Sequence, residues 1–250
     1  MDIRRFENQH GIIEPHKLQV PMTIVGAGAI GSFFAMTFAK MGGTDIEVYD
    51  DDTIEDHNIA NQIYPELFIG EKKVSALKSV VFQYAGIEIV PKEKKFEATD
   101  PIAEKQILVA TVDNMDARKM IWDTVQKNLG NSKLRYFLDG RMGAEVMRLY
   151  CIDLRREKQR KFYESTLYST DSAVKERCSV KSIIYTVLLC AGFMNNMLKR
   201  ALNEDDQPEN RVLELAGDCA SPMLVPTRER DLKPTEEEIA QRPEPIAIAA

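Results

Sequence analysis

The feature that most constrains the fold of this 250-residue chain is the glycine-rich hexapeptide GAGAIG at residues 26–31. It directly follows the apolar run Met22–Val25, which predicts a buried strand, and it opens the small-residue stretch Ala29–Met41, which predicts a helix. A GxGxxG turn between a strand and a helix is typical of a phosphate-binding turn. The alternative is a turn whose glycines serve only to pack the helix against the strand.

In a phosphate-binding turn the glycines have physical roles. Gly26, Gly28 and Gly31 would allow a tight turn and let a phosphate approach the backbone N–H groups at the start of the helix. Asp50 follows the next predicted strand, at residues 45–49, where a carboxylate accepts hydrogen bonds from ribose hydroxyls. The motif therefore predicts a nucleotide ligand, but it does not identify which nucleotide.

Strand and helix signals alternate through the first part of the chain. We predict an α/β fold with a doubly wound, Rossmann-like, mostly parallel sheet, antiparallel edge strands and helices on both faces. Residues 1–200 are assigned to this domain, and residues 201–250, which are acidic and contain prolines, are predicted to form a mostly irregular arm. The remaining predicted strands are 86–90, 106–111, 136–138 and 145–152, and the remaining predicted helices are 70–84, 117–128 and 182–198.

Composition excludes several classes of protein. The formal net charge of −6 and the pI of about 5.3 argue against a nucleic-acid-binding protein. The longest apolar run, 182–198, is short for a membrane span and contains Asn195 and Asn196, so we expect no membrane association. Residues 1–17 lack the apolar segment of a signal peptide, which favours a cytoplasmic protein. The four cysteines form no CxxC pair, so no zinc is expected.

Further motifs follow the glycine-rich turn in a fixed order. They are DDDTI at 50–54, NIANQ at 58–62, GEKK at 70–73 and TVDNMDAR at 111–118. Together with GAGAIG, these motifs resemble the ThiF/MoeB/HesA family of ATP-dependent adenylyltransferases, the bacterial relatives of ubiquitin-activating enzymes. The resemblance extends over residues 5–200, and the missing CxxC pairs mark a short, zinc-less member.

The resemblance implies that the chain binds ATP and Mg²⁺ and activates the C-terminal carboxylate of a small ubiquitin-like protein or peptide as an acyl-adenylate. It also implies a homodimer. Lys73 matches the family lysine at the phosphates, and Asp113 matches the acid that holds Mg²⁺, a hard ion that prefers carboxylate oxygen. The alternative for Lys73 is a lysine exposed to solvent on a helix. The alternative for Asp113 and Asn114 is a helix N-cap. The other nucleotide-binding positions implied are Gly26, Gly28, Gly31, Asp50, Asp52, Asn58, Asn61, Gln62 and Arg118.

Two positions depart from the family pattern. The arginine of the family's NLxRQ segment is Asn61 here, and the second arginine of its N-terminal RxxRQ segment, which acts across the dimer, is Asn8. An amide carries no charge and cannot form the bidentate fork of a guanidinium. Arg4 and Arg5 are close enough in sequence to compensate. The departures leave open a non-catalytic ThiF-like scaffold that binds nucleotide or a partner, and an NAD-dependent oxidoreductase is a third hypothesis.

Cys178 is the candidate nucleophile or acyl carrier. It precedes the late apolar helix, where related enzymes often carry a cysteine, and neighbouring positive charges would lower the pKa of its thiol. The alternative is an ordinary loop cysteine. Cys151 and Cys190 are predicted to be buried, and Cys219 lies in the arm. Arg141, which follows a predicted strand, is a candidate to receive a substrate carboxylate or a phosphate, or else a surface arginine beside a turn.

Overall fold

The computed structural model describes residues 3–168 and 182–233. Cys178 lies outside the described residues, and so does the part of the predicted arm beyond Lys233.

The strands of the described residues form one eight-stranded sheet. They are β1 (Met22–Val25), β2 (Ile46–Tyr49), β3 (Val90–Lys92), β4 (Ile107–Ala110), β5 (Tyr136–Gly143), β6 (Val146–Asp153), β7 (Val212–Asp218) and β8 (Met223–Arg228). Their order is β3-β2-β1-β4-β5-β6-β7-β8. The first five in this order pair in parallel, and the β5–β6, β6–β7 and β7–β8 pairs are antiparallel. The predicted fold class, a mostly parallel sheet with antiparallel strands at its edge, is confirmed.

Helices cover both faces of this sheet. They are α1 (Ala29–Met41), α2 (Lys73–Ala85), α3 (Met115–Asn128), α4 (Glu157–Ser165) and α5 (Ile184–Asn203). Helices α1, α2 and α5 pack on one face, and α3 and α4 pack on the other. Side chains alternate along a strand, so Ile24 contacts the first layer and Val25 the second. Short 3-10 helices lie at Ile3–Gln9, Pro15–Leu18, Asp56–Asn58, Glu66–Phe68, Pro208–Asn210 and Glu229–Asp231.

The strand predicted at 86–90 is displaced in the structure. Gly86 adopts a positive φ of 68° and its N–H bonds to the carbonyl of Phe82 at 2.8 Å, so it ends α2 instead of starting a strand. The strand β3 begins only at Val90. Helix α4 was not among the predicted elements, because its residues are mostly charged and polar.

The prediction of a mostly irregular arm after residue 200 is wrong for its described part. Strand β7 pairs with β6 and with β8, so residues 212–228 complete the sheet. The physical reason is that β7 buries apolar residues on both faces of the sheet. Leu213 packs in the layer of α3 and α4 and Leu215 in the layer of α1, α2 and α5, on opposite faces because the strand is irregular between Val212 and Glu214. The acidic composition after residue 200 suggested a solvated, irregular segment. In the structure, however, Asp205 and Asp206 form ion pairs with Lys199 and Arg200 of α5 at 2.6 Å. Across the described ranges, no helix combines the length and apolarity that a bilayer crossing requires.

Candidate nucleotide-binding site

The glycine-rich turn lies where three parallel strands end together. Val25 of β1 is in register with Tyr49 of β2 and with Ala110 of β4. The residues that follow these strands, Gly26, Asp50 and Thr111, therefore meet at one edge of the sheet. This edge, at the carboxyl ends of parallel strands, is where α/β sheets bind their ligands.

Two glycines of the turn are required by packing. Gly26 has a φ of 101°, and the hydroxyl of Thr111 donates to its carbonyl at 2.8 Å. A Cβ atom at Gly31 would lie 2.0 Å from the Gly26 carbonyl oxygen and 2.5 Å from the Thr111 hydroxyl. Helix α1 can therefore approach the end of β1 only because residue 31 lacks a side chain.

The middle glycine is different. A Cβ atom at Gly28 would meet no other part of the described chain within 4 Å. Packing thus accounts for Gly26 and Gly31 but not for Gly28, which faces open space at the N-terminus of α1. A helix N-terminus with free approach to its backbone suits a phosphate.

Asp50 is fixed beneath this turn. Its Oδ2 accepts the Ala27 N–H at 2.7 Å and its Oδ1 accepts the Asp52 N–H at 2.8 Å. Burial raises the pKa of the Asp50 carboxyl above its ordinary value, although these two hydrogen bonds and the charge of Lys73 act in the opposite direction. A carboxylate has about four lone-pair positions. Asp50 therefore keeps acceptor capacity for a hydroxyl of a ligand.

Lys73 is buried beside Asp50. Its Nζ lies 2.7 Å from Oδ2 of Asp52, and its side chain is 9% exposed, against 62% for Asp52. The alternative of a solvent-exposed lysine is therefore wrong. Its backbone N–H also bonds to the Asp52 carbonyl at 3.0 Å, and Lys72 Nζ donates to the Asp51 carbonyl at 2.6 Å. The GEKK and DDDTI segments are thus tied together at the start of α2.

The acidic residues here divide into two groups. Asp50, Asp51 and Asp52 each place a carboxylate oxygen within 4.8 Å of the others. Asp113, the predicted Mg²⁺ ligand, is exposed beyond the end of β4 and accepts a bond from the Asn114 amide at 3.1 Å. Asn114 also caps α3, accepting the N–H of residue 117 at 2.8 Å, so the N-cap alternative is confirmed for Asn114.

The NIANQ segment contains amide side chains whose oxygens are buried. Asn58 is buried, and its Oδ1 accepts the Glu55 N–H at 2.9 Å, which is a local structural role. Asn61 donates its amide N–H to the hydroxyl of Ser182. The Oδ1 of Asn61 and the Oε1 of Gln62 are buried and have no hydrogen-bond partner among the described residues. A buried acceptor without a partner costs about 1–3 kcal/mol, so these oxygens point to donors that a ligand or water supplies.

Tyr64 links that segment to the glycine-rich turn, and the sequence patterns did not single it out. Its hydroxyl is buried and donates to the Ala27 carbonyl at 2.6 Å. Burial, together with the charge of Asp50, raises the pKa of Tyr64 well above its ordinary value, so the hydroxyl stays a donor. Its position two residues after the NIANQ motif was the available signal.

Arg118 and Arg141 form a buried network around Asp139. The Nε of Arg118 lies 2.7 Å from Asp139 Oδ1, and the Nε of Arg141 lies 2.6 Å from Oδ2. Tyr163 donates to the same carboxylate at 2.9 Å. Arg141 further donates to the carbonyl and the hydroxyl of Thr166 at 3.0 and 3.1 Å. The surface alternative for Arg141 is wrong, and both arginines already have protein partners within the described structure.

The N-terminal segment lies away from this edge in the same chain. Arg5 donates to the carbonyl of Ala85 at 3.1 Å, at the end of α2 opposite to Lys73. Asn8 is exposed. Within one chain, Arg5 therefore does not compensate for the missing arginine beside Lys73.

The described cysteines differ in burial. Cys151 and Cys190 are buried, as predicted, and desolvation raises the pKa of each thiol to about 12. Cys219 is half-buried at the end of β7.

A Rossmann-like sheet with this glycine-rich turn, Asp50 and a buried lysine at the ligand-binding edge defines an α/β protein of the nucleotide-binding class. A model of the ThiF family matches residues 17–230, and the chain belongs to the ThiF family.

Two curated relatives are adenylyltransferase and sulfurtransferase proteins of plants. MOCS3 of Arabidopsis thaliana is 30% identical over 111 residues, which is 42% of this chain and 24% of that protein. MOCS3-1 of Zea mays is 29% identical over 110 residues, with the same coverage. The match thus spans about a quarter of each curated relative.

Solved structures share the fold over a longer range. Escherichia coli MccB with ATP has a TM-score of 0.63 and 14% identity, over 86% of this chain and 66% of that chain. The MccB structure with AMPCPP and MccA has a TM-score of 0.63 and 16% identity, over 86% of this chain and 65% of that chain. PaaA has a TM-score of 0.66 and 14% identity, over 89% of this chain and 68% of that chain. At these identities the likeness shows the fold.

Proposed function

We propose that this chain binds ATP at the glycine-rich turn and adenylylates a carboxylate of a peptide or small protein. The observation that carries the proposal is the arrangement around Gly28, where open space at the start of α1 adjoins the fixed carboxylate of Asp50 and the buried ammonium of Lys73. Membership of the ThiF family supports it, as do relatives named as adenylyltransferases and a structural neighbour solved with ATP.

In the proposed reaction a substrate carboxylate oxygen attacks the α-phosphorus of ATP. A new O–P bond forms, the bond from the α-phosphorus to the bridging β-oxygen breaks, and pyrophosphate leaves with that electron pair. Backbone N–H groups at the start of α1 would hold phosphate oxygens, and Asp50 would accept ribose hydroxyls. Lys73, held by Asp52 at 2.7 Å before ATP binds, would place its charge at the phosphates.

The acidic residues fit a magnesium ion. Asp113 offers an exposed carboxylate at the end of β4, and hard oxygen ligands of this kind suit Mg²⁺. Bound there, the ion would neutralise negative charge on the phosphate oxygens. Asp50, Asp51 and Asp52 form a second group of oxygens from which a further ligand can come.

The partner and assembly are further parts of the proposal. Resemblance to the family supports a small ubiquitin-like protein or a peptide with a free C-terminal carboxylate, and a homodimer, and we also propose a cytoplasmic location. A specific observation favours a second candidate, a non-catalytic member that binds nucleotide. Asn61 replaces a cation and donates its amide to Ser182, so it contributes no positive charge to the phosphates.

ATP–pyrophosphate exchange tests the proposal. We would measure exchange with candidate carboxylate partners in wild type, Lys73→Ala and Asp113→Ala. Lys78→Ala is the matched control, because Lys78 lies on the same helix and is half-exposed. We expect the first two variants to lose exchange by at least tenfold and the control to retain it. Exchange that survives both substitutions would refute the site assignment, and ATP binding without exchange for every partner would favour the non-catalytic candidate.

A further inference from the structure

A cavity of about 200 Å³ lies between the C-terminal half of α5 and the strands β5 to β8. We call it the α5–β7 cavity. Tyr136, which begins β5, lines it, whereas Asp139, which pairs with Ala110 of β4, lies toward the glycine-rich turn. The cavity therefore lies at the end of the strands opposite to the nucleotide-binding edge, and the proposed adenylylation does not use it.

The walls of the α5–β7 cavity are mainly apolar. Phe193 and Met197 line it from α5, and Leu215 and Leu224 line it from β7 and β8. A dry cavity of about 150 Å³ in another protein accommodates benzene, so this volume suits a ligand with a small ring or a short branched chain. Apolar walls bind such a group by removing its surface from water.

Arg211 places a positive charge in the wall of this cavity. The residue is 8% exposed. Its polar contacts within the described residues are long: its Nε lies 3.3 Å from the Asp206 carbonyl, and its Nη1 lies 3.4 Å from the Tyr136 hydroxyl and 3.6 Å from Asp153 Oδ2. A charge-assisted hydrogen bond is normally about 2.7–2.9 Å long. Arg211 therefore has weak partners for a guanidinium that is nine-tenths buried.

The nearby carboxylates are already bound by other arginines. Arg155 holds both oxygens of Asp153 at 2.8 and 2.6 Å. Arg200 holds both oxygens of Asp206 at 2.8 and 2.6 Å. Each of these pairs uses one arginine for one carboxylate, which leaves the charge of Arg211 in excess. The nearest carboxylate to Arg211, Asp153 at 3.6 Å, is shared with Arg155, and a buried charge that is only partly neutralised is unfavourable, so an added anion would stabilise this site.

We propose that the α5–β7 cavity binds a small monocarboxylate with an apolar body about the size of benzoate. The carboxylate would pair with Arg211, and the apolar body would pack against Phe193 and Met197. A monoanion fits because Arg211 shares its nearest carboxylate with Arg155, which leaves one positive charge only partly neutralised. The hydroxyl of Tyr136 donates to the Ala201 carbonyl at 3.0 Å, so the guanidinium is the donor to the carboxylate.

The test uses calorimetry without ATP, so that its outcome is independent of the proposed adenylylation. Benzoate and a series from acetate to octanoate are compared with benzamide, a neutral molecule of the same shape as benzoate. We expect at least one carboxylate to bind wild type, benzamide to bind at least tenfold more weakly than benzoate, and Arg211→Gln to bind at least tenfold more weakly than wild type. Arg230→Gln is the matched control, because Arg230 is an exposed arginine just after β8.

A second variant covers the case in which Arg211→Gln does not fold. Leu224→Trp places an indole ring, which is larger than the leucine side chain, at the half-exposed mouth of the cavity and leaves Arg211 unchanged. We expect it to abolish binding, and we expect benzoate to shift the methyl NMR signal of Met197 in wild type only. Failure of every carboxylate to bind, equal binding of benzamide, or unchanged binding in both variants would overturn the proposal.

Discussion

Replacing Gly31 by alanine tests whether the glycine-rich turn is fixed by packing. The added Cβ would lie 2.0 Å from a backbone oxygen, while ordinary contacts begin at 3.4 Å. Even a contact of 3.0 Å requires α1 to move by about 1 Å relative to β1. This movement would displace Phe34 and Phe38, which are fully buried. Overpacking typically lowers the free energy of unfolding by about 1–3 kcal/mol, and we expect a loss in the upper part of that range.

The assay is thermal unfolding followed by circular dichroism. For a chain of 250 residues, 1 kcal/mol corresponds to about 2–4 °C, so Gly31→Ala should lower Tm by about 4–12 °C. Gly28→Ala is the control, because its Cβ enters open space and an alanine N-cap typically costs about 1 kcal/mol. It should instead weaken ATP binding. Equal Tm values for the two variants would refute the packing argument.

Three further results are expected. Asp139→Asn leaves two buried arginines without a counter-charge and should lower the free energy of unfolding by about 3–5 kcal/mol in urea titrations; a loss below about 1 kcal/mol would contradict the network. Burial raises the pKa of Glu229, but its hydrogen bonds with Arg156 lower it more, so the pKa is below its ordinary value in the folded protein. The ionised Glu229 side chain therefore stabilises the fold above about pH 4.5, and this stabilisation is lost as the pH falls through the lowered pKa of the folded state. The stability difference between wild type and Glu229→Gln should therefore shrink below about pH 4.5, and a difference that grows on acidification would show the sign to be wrong. Cys151 and Cys190, with pKa values of about 12, should react with iodoacetamide at pH 8 only after denaturation, as peptide mass mapping would show.

Local patterns predicted the first part of the fold well. Helix α1 has the predicted bounds, because Gly42 adopts a φ of 117° and ends the helix where the sequence places a double glycine. Strands β1, β2 and β4 were predicted to within a residue or two, because apolar runs bounded by polar residues are a local signal. Their shared edge then placed Gly26, Asp50 and Thr111 together.

The missed features depend on contacts between distant residues. Strand β7 was hidden by an acidic segment in which Asp205 and Asp206 pair with Lys199 and Arg200 of α5. The bond from Asn61 to Ser182 joins residues 121 positions apart, and Asp139 joins two arginines that lie on different elements. A single sequence shows the residue types but not these pairings. For this reason Arg118 and Arg141 were predicted to contact ligands, whereas in the structure both pair with the carboxylate of Asp139.

The glycine-rich turn also has an evolutionary consequence. At position 31 the obstacle is the backbone carbonyl of Gly26, so no change of a neighbouring side chain, including Thr111, opens a path to a larger residue. Position 28 has no such obstacle within the described chain. Under the proposed function, a descendant that gives up ATP is free to lose Gly28, whereas the loss of Gly31 still lowers the stability of its fold. The pair of positions thus distinguishes lineages that have kept the fold from lineages that have kept the ligand as well.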